Sequence, residues 1–151
     1  MSKLDDLAGL LRREEDIAQE ILRTIEEQKD ALMRIDVDAV MRSVVRQQSL
    51  LATANDLERK RRQLLHAIAP SLFAATPPEK IHSMAELAQR HRDVIGDAMA
   101  EACVRLSRLA KKIQEANRMN RLLLESAARF VRGSLRILTR DFSRSLVDQR
   151  V

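Results

Sequence analysis

The chain has 151 residues, of which 45% are apolar and only 2% aromatic, with three Gly and three Pro. That balance excludes a sheet protein, and its stock of Ala, Leu, Glu, Arg and Gln describes long, solvent-washed helices. The 32% of charged residues leave a formal net charge of +5, unevenly spread: residues 1–75 hold 12 Lys and Arg against 13 Asp and Glu, residues 76–151 hold 15 against 9. A basic half can attract nucleic acid, anionic lipid or an acidic protein surface, and it can also be a solvated face that happens to use arginine.

The one cysteine, Cys103, cannot form an intramolecular disulfide and fits a reducing compartment. Met1 to Asp6 lack the apolar core of a signal peptide, and the run free of Asp, Glu, Lys and Arg, residues 63–78, is too short to span a membrane. These features predict a cytoplasmic protein without membrane insertion.

Along the chain, the first periodic segment runs from Lys3 to Ile35. Steps of three and four visit Leu4, Leu7, Leu11, Glu14, Ala18, Ile21, Ile25, Gln28, Leu32 and Ile35, the signature of an amphipathic helix with a coiled-coil-like seam. Asp36-Val37-Asp38 interrupts it, with Asp suited to cap the next helix. The second helix is predicted over Val37–Ala69, with a seam of Val37, Val40, Val44, Leu51, Ala54, Leu65 and Ile68, widened by Leu50, Leu57 and Leu64. Pro70 fits its end. The short connection implies an antiparallel hairpin over residues 3–69.

Pro70 to Pro78 reads as a loop. Capping-box patterns at Thr76-Pro77-Pro78-Glu79 and Ser83-Met84-Ala85-Glu86 each offer a start for a short helix before residue 92. The third long helix is predicted from Asp93 to Arg140, with Ile95, Met99, Ala102, Leu106, Leu109, Ile113, Ala116, Asn120, Leu123, Ala127, Phe130, Ser134 and Ile137 on its seam. Gly96 and Gly133 each weaken it by roughly 1 kcal/mol relative to Ala, too little to end it. Residues 141–151 form an amphipathic tail. The expected fold is all-α: an extended antiparallel bundle of three long helices with coiled-coil-like packing, in one domain spanning residues 1–151.

From Leu124 onward a second stripe appears: Leu124, Ala128, Val131, Leu135, Leu138, Phe142 and Leu146. A helix between two neighbours needs two buried faces, which explains the stripe without any partner. The functional reading is that it outlasts what the chain can cover and receives another protein's helix, with Arg136, Arg140 and Arg144 on its rim. Asn117 and Asn120 share a helix face, and Asn120 falls in the seam. Such a residue fixes register as a buried Asn does in coiled coils, or touches the partner directly.

Catalytic and metal chemistry find little footing. His66, His82 and His91 are the histidines, and Glu79 with His82 makes only half of a di-iron motif. Cys103 has no activating base at helical spacing and reads as a packed thiol. No Gly-rich phosphate loop is present. The densest basic cluster, Glu58 to Arg62, joined by Arg105, Arg108, Lys112 and Arg118, suits phosphate contacts, but no aromatic platform accompanies it. Nucleic-acid binding and a self-associating structural coiled coil, a homo-oligomer, are therefore the alternatives to a protein-holding role.

The order of these features resembles the FlgN-type flagellar export chaperones that serve the hook-associated proteins. The likeness begins at Glu26-Glu27-Gln28-Lys29-Asp30-Ala31-Leu32 and continues with Asp36 or Asp38, Val40 and Val44. Leu50-Leu51, Leu57-Glu58 and Arg61-Arg62-Gln63-Leu64-Leu65 follow, and it returns at Asn117-Arg118-Met119-Asn120-Arg121-Leu122-Leu123-Leu124. The resemblance covers most of the chain and implies a cytoplasmic chaperone with no cofactor. Its partners would be the C-terminal helices of hook-associated proteins, kept unpolymerised, and the flagellar export apparatus that receives them. The family's substrate contact lies toward the C-terminal part, which maps onto Asn117, Asn120, Leu124, Val131, Leu135, Leu138, Phe142 and Leu146. Many export chaperones are acidic, whereas the second half here is basic.

Overall fold

The computed structural model describes residues 2–68 and 81–148, apart from the side chains of 81–84, 87, 142, 143 and 145–148. All regular structure among them is helical: α1 (Lys3–Met33), α2 (Val37–Ile68), α3 (Ile81–Arg90), α4 (Arg92–Ile95) and α5 (Asp97–Asp148). The all-α expectation holds, and α1 and α2 match their predicted spans to within two residues. The predicted loop at Pro70 to Pro78, and with it the Thr76 capping box, lies outside the described residues.

Local chemistry sets the helix ends. Ser2 and Asp5 form a capping box at the start of α1, the Ser2 hydroxyl accepting from the Asp5 amide while the Asp5 carboxylate accepts from the Ser2 amide. Asp36 caps α2 as expected, its carboxylate accepting from the Ala39 amide at 3.1 Å. Between them the chain makes a Schellman turn: the Asp36 amide donates to the Ala31 carbonyl and the Ile35 amide to the Leu32 carbonyl. The left-handed position of that turn holds Ile35, at φ 57°, where a β-branched residue costs about 1–2 kcal/mol. Ile35→Gly is accordingly expected to stabilise the protein by about 1 kcal/mol, measured as a higher urea midpoint with an unchanged m-value.

Three expectations for the second half are corrected. Gly96 does end a helix: it sits at φ 86°, ψ 159°, donates to the Arg92 carbonyl to close α4, and accepts from Ala100 to open α5. Glycine is at ease there, so the relevant quantity was its access to positive φ and not its modest helix penalty. Gly133 lies inside α5 as predicted. The tail is no separate element either, because α5 runs unbroken to Asp148 over 52 residues, about 78 Å at ~1.5 Å per residue. Ser83 falls inside α3 and does not start it.

Polar pairs fix the helix directions. Glu14 meets Arg61 and Gln28 meets Gln47, so α2 runs against α1. Glu15 meets Arg105 and Ile25 meets Asn120, so α5 runs parallel to α1. The three long helices thus alternate up, down and up along the chain, and they differ from the expected bundle in not closing around one another. α1 is the central member, packed against α2 on one side and α5 on the other, and among the described residues α2 and α5 scarcely meet.

The core has two parts. Leu7, Leu11, Ala18, Leu65, Ala88, Ile95, Ala100, Cys103 and Leu106 draw all five helices together at the end where α1 begins. Ile21, Ile25 and Leu50 form a smaller cluster further along, with Ile17, Ala54, Ile113 and Ala116 against it. The predicted α1 seam is the buried face from Leu7 to Ile25. The α2 seam is rotated: Val37 and Leu51 are exposed, while Ser43, Leu50, Leu57, Arg61 and Leu65 are buried.

Candidate partner-binding surface

A polar layer closes the core near the middle of α5. Asn120 is 5% exposed; its amide donates to the Ile25 carbonyl at 2.8 Å and to Gln28 Oε1 at 3.1 Å. The Gln47 amide donates to the same Gln28 oxygen at 3.3 Å. One short network thus ties α5, α1 and α2 in a single register, the role a buried seam Asn plays in coiled coils. Asn117, one turn earlier, is exposed.

Beyond Asn120, no described residue of α5 is buried. The second stripe is open to solvent: Leu124 is 53% exposed, Val131 48%, Leu135 57% and Leu138 65%. Phe142 and Leu146 lie on α5, and their side chains fall outside the described residues. Phe130 and Ile137, expected on the core seam, are exposed as well. For Phe130 and the residues after it, the cause is length. The Ile25–Asn120 contact sets Met33, the last residue of α1, level with about residue 128, so α5 overshoots its partner by about 20 residues, roughly 30 Å at ~1.5 Å per residue.

A second apolar surface was not anticipated. Because α2 and α5 stand apart over α1, a groove of about 250 Å³ opens between them, with Ala18 and Ile21 on its floor, Leu51 and Ala54 on one wall, and Leu106 and Ile113 on the other. Nearer the hairpin turn, Val37, Met41 and Val45 of α2 are exposed as well, Met41 and Val45 on a separate face shared with Arg42 and Arg46. The sequence signal for it was present: a helix whose core is Leu50-Leu57-Leu64 has no partner left for Val37, Met41 and Leu51 on another face.

Glu14 stands at the edge of this groove, paired at 2.5 Å with Arg61, which is 1% exposed. Glu14 Oε2 and Arg61 Nε have no hydrogen-bond partner among the described residues. Burial pushes the Glu14 carboxyl up, against the pull of the Arg61 charge and hydrogen bond. This pair also changes the reading of the basic cluster. Arg61 is core, Arg62 pairs with Glu58, and Arg59 and Lys60 share Asp56, whose carboxyl the two cations hold below its ordinary value. Arg105 and Arg118 are paired with Glu15 and Glu115. A phosphate backbone would find most of the expected contacts already engaged.

Cys103 is buried, and desolvation pushes its thiol up to about 11. It is a protonated packing residue at neutral pH. Glu79 and the side chain of His82 lie outside the described residues. Among the described residues, no three His, Cys, Asp or Glu converge as a metal site, and no helix is long and apolar enough to cross a membrane.

Comparison with known proteins gives one match: a family model described as FlgN protein, over residues 1–147. No curated protein and no solved structure shows significant similarity.

Proposed function

The chain belongs to the FlgN family, and from that premise we propose that it is a flagellar type III export chaperone that binds the C-terminal helices of hook-associated proteins. It keeps them unpolymerised in the cytoplasm and delivers them to the export apparatus. The observation that carries this reading is the length of α5 past Asn120, most of it an overhang beyond α1, whose apolar side chains Leu124, Val131, Leu135 and Leu138 stand in solvent past the last core residue. Soluble proteins seldom leave such a ridge uncovered, and an amphipathic helix laid along it would bury both apolar faces. Asn120 acts here as a positioning residue, because its buried amide sets the register from which the ridge projects. Asn117 and the positions of Phe142 and Leu146 complete the proposed contact surface.

Such a chaperone needs no nucleotide or metal. It exchanges solvent for a client helix and releases the client when the export machinery competes for either partner. The test is calorimetric titration of a hook-associated protein's C-terminal helix into the full chain and into a chain ending at residue 137. The full chain is expected to bind, with a negative heat-capacity change from apolar burial, and the truncated chain to bind at least about tenfold more weakly, since losing even one buried Leu is worth about 1.5–3 kcal/mol. Equal binding by both chains would move the site elsewhere, to the α2–α5 groove first.

A further inference from the structure

From Arg121 to Asp148, α5 carries six arginines, Arg121, Arg129, Arg132, Arg136, Arg140 and Arg144, against three acids, Glu125, Asp141 and Asp148. With ~3.6 residues per turn, the six cations fall within an arc of roughly 140°. Leu124, Phe130, Val131, Leu135, Ile137 and Leu138 occupy the opposite side, across an arc of roughly 160°, and all six are exposed; the arc carries no charge as far as Arg140, and Asp141 and Asp148 fall within it only in the last turns. Arg121 and Arg132 border one edge of the apolar arc and Arg144 the other. Among the described residues none of the six arginines has an ion-pair partner, whereas Arg118, just upstream, is held by Glu115.

We propose that this last part of α5, from Arg121 on, binds the surface of an anionic bilayer, lying in its plane without spanning it. The apolar arc would enter the acyl boundary while the arginines engage lipid phosphates. The arc is wider than the stripe of about 100° through which one helix meets another, so a client helix leaves apolar surface that a bilayer covers in full. The shape agrees: the overhang is a convex ridge, and the two described grooves between α5 and its neighbours reach Gln114 and Asn120. A flat apolar medium covers such a ridge at once, and a helix with one apolar and one arginine-rich face is the form that adsorbs to anionic membranes. Arginine stems at the arc edges can lie along the apolar boundary and keep their guanidinium groups at the phosphates. The arc is also the client surface proposed above, so bilayer and client exclude one another. Bilayer binding nevertheless stands or falls without any client.

The test is co-sedimentation of the full chain with vesicles of phosphatidylcholine, alone or mixed with phosphatidylglycerol, at low and high salt. Binding is expected to the mixed vesicles, at least about tenfold weaker to phosphatidylcholine alone and weakened by salt. Reversing Arg129, Arg136 and Arg140 to Glu is expected to cost about 100-fold, since one cation near an anionic surface is worth about fivefold. Val131→Ser with Leu138→Ser is expected to cost at least about tenfold. Circular dichroism checks that each variant keeps its helicity, and Gln replaces Glu in the triple variant if it does not. Equal binding to neutral vesicles, or full binding by either variant, overturns the proposal. So does binding to DNA that survives Val131→Ser and Leu138→Ser with no vesicle binding, which would make nucleic acid the ligand.

Discussion

Arg61→Ala is expected to destabilise the protein by about 3–5 kcal/mol, enough to leave a domain of ordinary stability close to unfolding at ambient temperature. Arg61 is 1% exposed and its charge is met by Glu14, itself 7% exposed. Removing the guanidinium leaves a buried carboxylate with its compensating charge gone and Oε2 still unpartnered. Replacing both, as Glu14→Leu with Arg61→Met, removes the desolvation cost along with the attraction. That pair is expected to be near neutral or stabilising by up to about 4 kcal/mol. Urea unfolding of the two single variants and the double one checks this: a mild Arg61→Ala, or additive single effects, would show that the two groups are not coupled.

The same pair leaves a mark on pH. Burial raises the Glu14 carboxyl above 4.5 in the folded state, so the folded chain holds that proton more tightly than the unfolded chain. Its contribution to stability is greatest below the unfolded-state value and is lost as pH rises through the raised one. Glu14→Gln is expected to flatten that limb of the stability profile.

Leu135→Ser with Leu138→Ser is expected to abolish client binding, at least about 100-fold in Kd, for two buried Leu side chains at ~1.5–3 kcal/mol each. Both residues are more than half exposed in the free protein, so the same substitutions are expected to shift folding stability by no more than about 0.5 kcal/mol. The separation of the two readouts is the point. Loss of binding with thermal unfolding unchanged places these side chains in an interface; a collapse of the fold would place them in the core.

The periodicity of residues 3–35 was enough to find the buried face of α1 because its seam faces two partners and has little room to rotate. The α2 seam is legible only in part, for a related reason: Leu50, Leu57 and Leu65 of the predicted stripe are buried, while Val37 and Leu51 are exposed. Val37, Val44 and Leu51 keep a heptad rhythm as regular as that of Leu50, Leu57 and Leu64, and periodicity cannot say which stripe meets α1. Arg61 settles it in the structure, and a buried arginine is invisible to a search for apolar spacing. Residues 58–62 therefore read as a solvent-facing basic cluster when one member is core and the others are paired. Gly96 was underestimated because a propensity scale averages over helix positions and ignores positive φ. The open stripe from Leu124 to Leu138 was legible, but whether another helix covered it depended on how far α1 extends beside α5, which only the Ile25–Asn120 contact reveals.

The parallel pairing of α1 with α5 has a consequence for synthesis on the ribosome. The α1–α2 hairpin has all its contacts once residue 68 is out, but the other flank of α1 must wait for partners some 90 residues downstream. Leu7 and Leu11, which meet Leu65 of α2 in the same cluster as Ala100, Cys103 and Leu106 of α5, stay only partly covered until α5 arrives, so a pause after the hairpin exposes a half-finished, adhesive intermediate. Docking of α5, which travels the length of α1 from Ala100 to Asn120, is then the late and slow event in acquiring the native state.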